Sequence, residues 1–418
     1  MPPNRLVTSR LVLLVLSFLV LISEPILSQE ISDPAVFIQT VLSRHPSIQR
    51  ADDLVRSAEF GLKASGLQPN PTLTLAATAG DAGEDSNVLT QNFEISGQPS
   101  LRHSIAEANL KASLEQREAV RRQLIASAYR SWLELWRTHR LLELAQLRNM
   151  LLEEMTRVAN RRFEVGEISE NEALRVTLAA AQAETNLVSA EAEYAGARHS
   201  AALLLGVEES NLQTNPSELT FLLPEVTLET VLVSVEEHPE VRGQFHRLGA
   251  IKQGADLIKK ERAPTLGLSL YRSSLIRSQS VQQGAQLSLS WPILDWGNIS
   301  NRAQQQQAQA SAFQAEIEET LLDTRRQLSK IWTRLQAAKQ NRSILARQAE
   351  RYEELAREAR VAYDVGLWSL TDVFQTEQTY RQARVDLLEA TAEVMDLELQ
   401  ILERTGLSLP PEFLKEDL

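Results

Sequence analysis

The chain of 418 residues contains no cysteine. That excludes disulfide frameworks, zinc–thiolate centres, iron–sulfur ligation and cysteine nucleophiles. It also excludes the modified N-terminal cysteine of a lipoprotein. Glycine and proline are scarce, at 16 and 15 residues, so long uninterrupted helices are allowed. Basic residues are outnumbered: 43 Lys and Arg face 55 Asp and Glu, for a net charge of −12. A nucleic-acid binder needs a basic face to replace counterions, so no nucleic acid is expected as a partner. Beyond the N-terminus, no apolar run approaches the roughly 20 residues that a helix needs to cross a bilayer. Any later membrane span must be built from strands.

Catalytic patterns are missing as well. Six histidines occur, His45, His103, His139, His199, His238 and His246, with no His-x-His or His-x-x-x-His pair. His45 and His238 each precede a proline and read as loop geometry. There is no Gly-rich phosphate loop and no nucleophile elbow. Glu354 and Glu358 with Arg357 and Arg360 read as a surface ladder at helical spacing. No catalytic residue, no metal ligand and no cofactor site is expected, and the chain is not read as an enzyme.

What is present begins with a targeting pattern. Arg5 and Arg10 lead into Leu11–Ile22, where only Ser17 is polar. A positive segment followed by a short apolar one is a signal peptide, expected over residues 1–28 with cleavage after Ser28. The alternative, a transmembrane anchor, is disfavoured by the short run.

The rest is a tandem repeat. Phe163-Glu-Val-Gly-Glu-Ile-Ser169 matches Tyr363-Asp-Val-Gly-Leu-Trp-Ser369 at an offset of 200, which also pairs Trp132 with Trp332 and Gly206 with Gly406. At an offset of 193, His45-Pro46 pairs with His238-Pro239, and Pro71-Thr-Leu73 with Pro264-Thr-Leu266. The division expected is a first repeat over 29–210, a linker over 211–224, a second repeat over 225–407 and a tail over 408–418. Two copies of one supersecondary unit imply pseudo-symmetry within one body.

Each repeat reads as helix, two strands, long helix, turn, helix. Asp33-Pro34 starts a helix that ends near Ser65-Gly66. Leu73, Leu75, Ala77 and Ala79 alternate along a strand, Gly80–Ser86 is a turn, and Leu89, Phe93 and Ile95 lie on one face of the return. This places one hairpin at about 71–96. Leu266, Leu268 and Leu270, then Leu287, Leu289 and Trp291, place a second at about 264–292. From Ser100 to Val165, from Asn298 to Val365 and from Leu367 to Thr405 there is neither glycine nor proline. The longest of these helices would reach on the order of 100 Å. Their period is a heptad: Val373, Tyr380, Leu387, Val394 and Ile401 beside Thr376, Ala383, Ala390 and Leu397. In the first repeat it runs through Ala173, Ala180, Leu187, Tyr194 and Ala201 beside Val176, Ala183, Ala190, Ala197 and Leu204. These are coiled-coil seams with small residues. The fold class expected is mainly α with a small β part.

Two readings of the strands stand. They are hairpins on a soluble core, or they are membrane strands of suitable length and alternation. Four strands cannot close a barrel, and hydrocarbon tolerates no open edge, so the second reading requires several copies of the chain to pool their strands. Trp291 and Trp296 flank the end of the fourth strand as interface aromatics would, or else as core tryptophans.

The ordered motifs resemble those of the TolC-like outer-membrane efflux proteins. The residues that carry the resemblance are Ala64-Ser-Gly-Leu-Gln-Pro-Asn-Pro-Thr-Leu73, Ser290-Trp-Pro-Ile-Leu-Asp-Trp-Gly-Asn-Ile299, the two Val-Gly-x-x-Ser turns and the two His-Pro pairs. Gly66-Leu-Gln-Pro-Asn-Pro71 is similar to the heavy-metal branch resembling CzcC. The resemblance implies a homotrimer in the outer membrane of a Gram-negative-type cell, with a 12-stranded β-barrel and a periplasmic α-barrel. It implies a passive exit duct for small molecules or metal cations. The partners implied are a periplasmic adaptor (membrane fusion) protein, an inner-membrane transporter and outer-membrane lipid. By the same resemblance the adaptor meets the tips Val165, Gly166, Glu167, Ile168 and Ser169, and Val365, Gly366, Leu367, Trp368 and Ser369. Leu367 and Trp368 are also apolar groups at a turn, which by itself suggests a partner. The family's acidic periplasmic gate maps to Asp372, with Gln375 in place of its second acid and Glu172 at the equivalent place in the first repeat. A duct for polypeptides in type I secretion, and a periplasmic coiled-coil scaffold without a pore, are the alternatives.

Overall fold

The computed structural model describes residues 33–77, 84–207, 222–223, 226–275, 280–410 and 413. The expected signal peptide, the hairpin tip at 78–83 and most of the expected linker and tail lie outside them.

The described elements are α1 (Pro34–Arg44), α2 (Pro46–Ser65), β1 (Thr72–Ala76), β2 (Glu84–Glu94), α3 (Gln98–Glu164), α4 (Glu170–Leu205), α5 (Leu228–Val233), α6 (Pro239–Lys260), β3 (Thr265–Leu275), β4 (Ser280–Ser290), α7 (Asn298–Asp364) and α8 (Leu370–Arg404). The single helix expected from Asp33 to Ser65 is in fact two. Pro46 lacks an N–H and its ring crowds the preceding turn, so the first helix stops at Arg44. His45 then takes an extended conformation, and its Nδ1 accepts from Ser47 N at 3.2 Å. His238 does the same for α6, accepting from Glu240 N at 3.3 Å. Both histidines are helix caps. An accepting ring nitrogen must be unprotonated, and burial lowers the pKa of His238 accordingly.

The two longest helices, α3 and α7, have 67 residues each, about 100 Å at the helical rise. α3 packs along α4 and α7 along α8 as two antiparallel coiled coils, and α3 also runs against α8. The heptad seams face inward. Ala173, Val176, Ala183, Ala197 and Ala201 are buried on α4, and Val373, Ala383, Ala390, Val394, Leu397 and Ile401 on α8. Small seam residues let the backbones approach closely.

The main core lies at the C-terminal ends of α4 and α8, away from the tips, where helices of both repeats meet. Phe37 and Trp132 stack at 5.5 Å between ring centroids, and Tyr129 meets Phe413 at 5.7 Å. The carboxylate of Glu398, wholly buried, accepts from Leu222 N at 2.9 Å and Leu223 N at 3.2 Å, and lies 2.8 Å from Lys339 Nζ. One charged group thus ties the segment between the repeats to α8.

The two hairpins form one antiparallel sheet in the order β1-β2-β3-β4, with β2 on β3 joining the repeats. Register places Leu73, Leu89 and Leu270 in one row, Phe93, Leu266 and Leu289 in another, and Leu268 beside Leu287. All share one face, because side chains alternate along a strand. The opposite face carries Thr90, Asn92, Ser269, Gln286 and Ser288, with Thr90 Oγ1 and Ser269 Oγ 3.0 Å apart.

Candidate functional site

Three places hold the residues singled out by sequence: the sheet, the strap that leaves it, and the two helix tips.

The leucines of the sheet are not packed on anything in the single chain. Leu287 is 70% exposed, and Leu73, Leu75, Leu270 and Leu289 are each more than half exposed. Hairpins on a soluble core would bury such a face; this sheet presents it outward. The outer edges of β1 and β4 have no partner strand among the described residues. β2, β3 and β4 have eleven residues each. At about 3.3 Å per residue and the tilt of about 40° usual in membrane barrels, they cover a hydrocarbon layer.

The strap from β4 into α7 continues the apolar surface. Trp291, Ile293 and Leu294 are exposed, and Trp296 is 90% exposed. Neither tryptophan is a core residue. Trp291 Nε1 donates to Arg262 O at 3.0 Å, which fixes the ring beside the end of the sheet. Trp296 has φ of 51°, a left-handed conformation unusual for a bulky residue. It is held by Asp295, whose carboxylate accepts from Gly297 N at 3.2 Å and Ile299 N at 3.1 Å and so caps α7.

Two arginines at the repeat offset tie the starts of the long helices to their surroundings, α3 to the end of β2 and α7 to the C-cap of α6, and the sequence reading did not single them out. Arg102 donates to both oxygens of Glu94 on β2, at 3.0 and 2.5 Å. Arg302 donates to both oxygens of Glu261, at 2.5 and 3.1 Å. Forked pairs fix orientation as well as distance. Their shared offset of 200 residues is the signal that could have found them.

The tips have nearly the same backbone. In the first, Gly166 at φ +79° donates to Phe163 O and Glu167 N donates to Arg162 O, both at 2.9 Å. In the second, Gly366 at φ +76° donates to Tyr363 O at 3.0 Å and Leu367 N to Ala362 O at 2.8 Å. This pairing closes the orphan carbonyls at a helix end and needs a left-handed residue, hence glycine. Ser169 and Ser369 then cap α4 and α8 in capping boxes with Glu172 and Asp372. Asp372 Oδ2 accepts from Ser369 Oγ at 2.6 Å and Ser369 N at 3.0 Å. These bonds hold its carboxyl below the usual aspartate range, the hydroxyl contributing most.

Side chains separate the tips. Ile168 is half-buried against Leu152, Met155 and Val176. Leu367 is 79% exposed. Trp368 lines an open groove of about 540 Å³ with Tyr352, Leu355, Asp372 and Gln375. Asp372 and Gln375 therefore share one groove, whereas Glu172 belongs to the other tip. Arg162 of α3 stacks over the Tyr363 ring of α7 at 4.8 Å, so the two coiled coils touch just above the tips. Among the described residues no cluster of His, Asp and Glu could hold a metal ion, and no helix is long and apolar enough to cross a membrane.

The model of the outer membrane efflux protein family matches residues 233–406, which is most of the second repeat. No curated protein matches the chain by sequence. Similar solved structures include the outer membrane protein VceC from Vibrio cholerae, 18% identical with a TM-score of 0.71, covering 89% of this chain and 96% of that one. The Campylobacter jejuni CmeC outer membrane channel is 15% identical with a TM-score of 0.71, over 89% and 85% of the two chains. The open state of the Neisseria gonorrhoeae MtrE outer membrane channel is 16% identical with a TM-score of 0.70, over 89% and 88%. At this identity the likeness is one of fold, and it extends over both repeats. The expected class, mainly α with a small β part, is borne out.

Proposed function

We propose that this chain, TolC-like in fold and an outer membrane efflux protein by the signature of its second repeat, is one subunit of a homotrimeric exit duct. Three copies pool their sheets into a twelve-stranded barrel in the outer membrane, and their coiled coils continue it as a periplasmic tube. The single observation that carries this reading is the open sheet, with its leucine face outward and its outer edges unpaired. In hydrocarbon the leucines are at home, but an unpaired edge is not, so identical neighbours complete the ladder. The polar face, with Thr90, Asn92, Ser269 and Gln286, then lines the lumen. Trp291 and Trp296 sit at the periplasmic edge of the bilayer, where amphipathic rings settle.

The duct is passive and no catalytic chemistry is required of it. Small molecules or metal cations pass through it from a periplasmic adaptor and an inner-membrane transporter that supplies the energy. The tips at 165–169 and 365–369 meet the adaptor, the second presenting Leu367 and Trp368. Three Asp372 side chains around a narrow axis repel one another and attract cations, with Gln375 one turn on. Glu172 stands at the matching point of the first coiled coil.

The experiment is reconstitution of the purified protein in a planar bilayer. Discrete conductance steps, reduced by divalent cations on the side of the helical tube, are expected. A preparation that assembles but carries no current would refute the duct and favour a scaffold.

A further inference from the structure

The helical part holds an unusual concentration of guanidinium groups. Glu377 on α8 is 3% exposed and accepts from Arg360 Nε of α7 at 2.6 Å. Arg381 lies one turn on, 3.7 Å from the other oxygen of Glu377, with a side chain 11% exposed. Arg148 of α3 approaches from the other coiled coil. The Nε atoms of Arg148 and Arg381 are buried and have no hydrogen-bond partner among the described residues. One carboxylate thus pairs with two arginines, while a third, Arg148, adds its charge beside Arg381. Burying a guanidinium without enough counter-charge is costly. Burial lowers the pKa of Arg381, and repulsion from Arg360 and Arg148 adds to this against the pull of Glu377.

Over this cluster lies a groove of about 510 Å³ between α3, α7 and α8. Its apolar side is Leu144, Leu147, Met150 and Leu151 of α3 with the ring of Tyr380. Its charged side is Arg357, Arg360, Arg381 and Arg384, opposed among the lining residues by Glu353 alone. Arg384 lies over the Tyr380 ring at 5.9 Å, and Arg357 is 4.0 Å from Glu353, so neither is closely paired. The volume falls within the range of small-molecule sites, about 300–1,000 Å³.

We infer that this groove binds a small amphipathic organic anion. An acidic head, carboxylate or sulfonate, lies among Arg357, Arg381 and Arg384, and a compact apolar body lies on the α3 leucines. The head supplies the counter-charge that Glu377 alone does not, and guanidinium is suited to a planar, forked contact with such a group. The bound molecule bridges the two coiled coils, because the leucines belong to one and the arginines to the other. The inference does not depend on the duct reading; a scaffold would carry the same groove.

The test is calorimetric titration of the purified full-length protein, in an uncharged detergent, with naphthalene-2-sulfonate. Saturable binding of one molecule per chain is expected, weakened at least tenfold by Arg357→Gln combined with Arg384→Gln. Both side chains are exposed on the rim, so the variant keeps its fold, checked by an unchanged thermal transition. 2-Naphthylmethylammonium, of similar shape and opposite charge, is expected not to bind. Absence of saturable binding, equal binding by the rim variant, or equal binding of the ammonium compound would each overturn the inference. So would inorganic sulfate binding as tightly as the aromatic sulfonate, since the apolar wall would then contribute nothing.

Discussion

The two helix tips share a backbone and differ in what they present. Each has a left-handed glycine, the same pair of closing hydrogen bonds and a serine capping box. Yet the first turns Ile168 inward, while the second leaves Leu367 in solvent and Trp368 on a groove. A turn explains the glycine and the serine at both places. It does not explain an exposed leucine at one. The backbone chemistry is common to the two tips; the side chains they present are not. The same divergence appears at the far end of the helices. Gly206 ends α4 in a left-handed cap at φ +68°, whereas Gly406 has ordinary φ and is required because a side chain there would strike Glu237 at 2.5 Å. Arg198 stacks over Tyr194 on the first repeat, while its counterpart Glu398 is the buried anchor of the second.

The largest difference between the tips is expected at the glycines. Gly366→Ile forces a β-branched residue into the left-handed region, a local strain of about 1–3 kcal/mol. Export is expected to be abolished with the oligomer intact, and Gly166→Ile to impair it less. Equal export by the Gly366 variant and the parent, measured as substrate retained by cells, would remove the second tip from function. The next effect is on stability. Glu398→Ala leaves two buried backbone donors unpaired and is expected to cost about 3 kcal/mol, more than Arg198→Ala at the equivalent place. Thermal unfolding of the two variants separates them.

Smaller effects sharpen the contrast between the tips. Leu367→Glu with Trp368→Ile gives the second tip the side chains of the first, and adaptor capture by the purified protein is expected to fall about tenfold, a loss of about 1.4 kcal/mol. The reciprocal change at Glu167 and Ile168 is expected to leave capture within twofold. The least effect comes from Asp372→Asn, which keeps the shape of the cap and removes its charge. Block of conductance by divalent cations is expected to weaken, with Glu172→Gln altering it less. The pH dependence has a definite sign. The carboxyl of Asp372 is held below its unfolded value, so its support for the tip is complete above the ordinary aspartate pKa. That support is lost only as pH falls through the lower folded value. Repulsion among three copies in the proposed ring acts the other way, so the pH at which block by divalent cations is lost reports how closely the Asp372 side chains approach.

Much of the architecture follows from patterns that a single strand or helix carries within itself. The heptads at 373–401 and the alternation at 266, 268, 270, 287 and 289 are local, and both faces fall where the periodicity puts them. The break at His45 was also local; Pro46 gives it, but the helical pattern running through it masks the signal. The pairing of β2 with β3 is different. It joins residues about 180 positions apart, and no periodicity states which hairpin edge meets which. The forks at Arg102 and Arg302 and the burial of Glu398 are tertiary in the same sense, since a carboxylate on a helix surface looks like any other until its partners arrive. At the tips the sequence names Asp372 and Glu172, but their cap geometry depends on the turn conformation. The arginine groove draws on three helices and has no sequence signature.

In the proposed duct the sheet is completed only by other copies of the chain. The direct measurement is the mass and symmetry of the detergent-extracted particle, by native mass spectrometry and imaging down its long axis. Three chains in a closed ring, dissociating only with loss of the strands' protection from hydrogen exchange, is the predicted result. A stable, water-soluble monomer with the strands equally protected would contradict it.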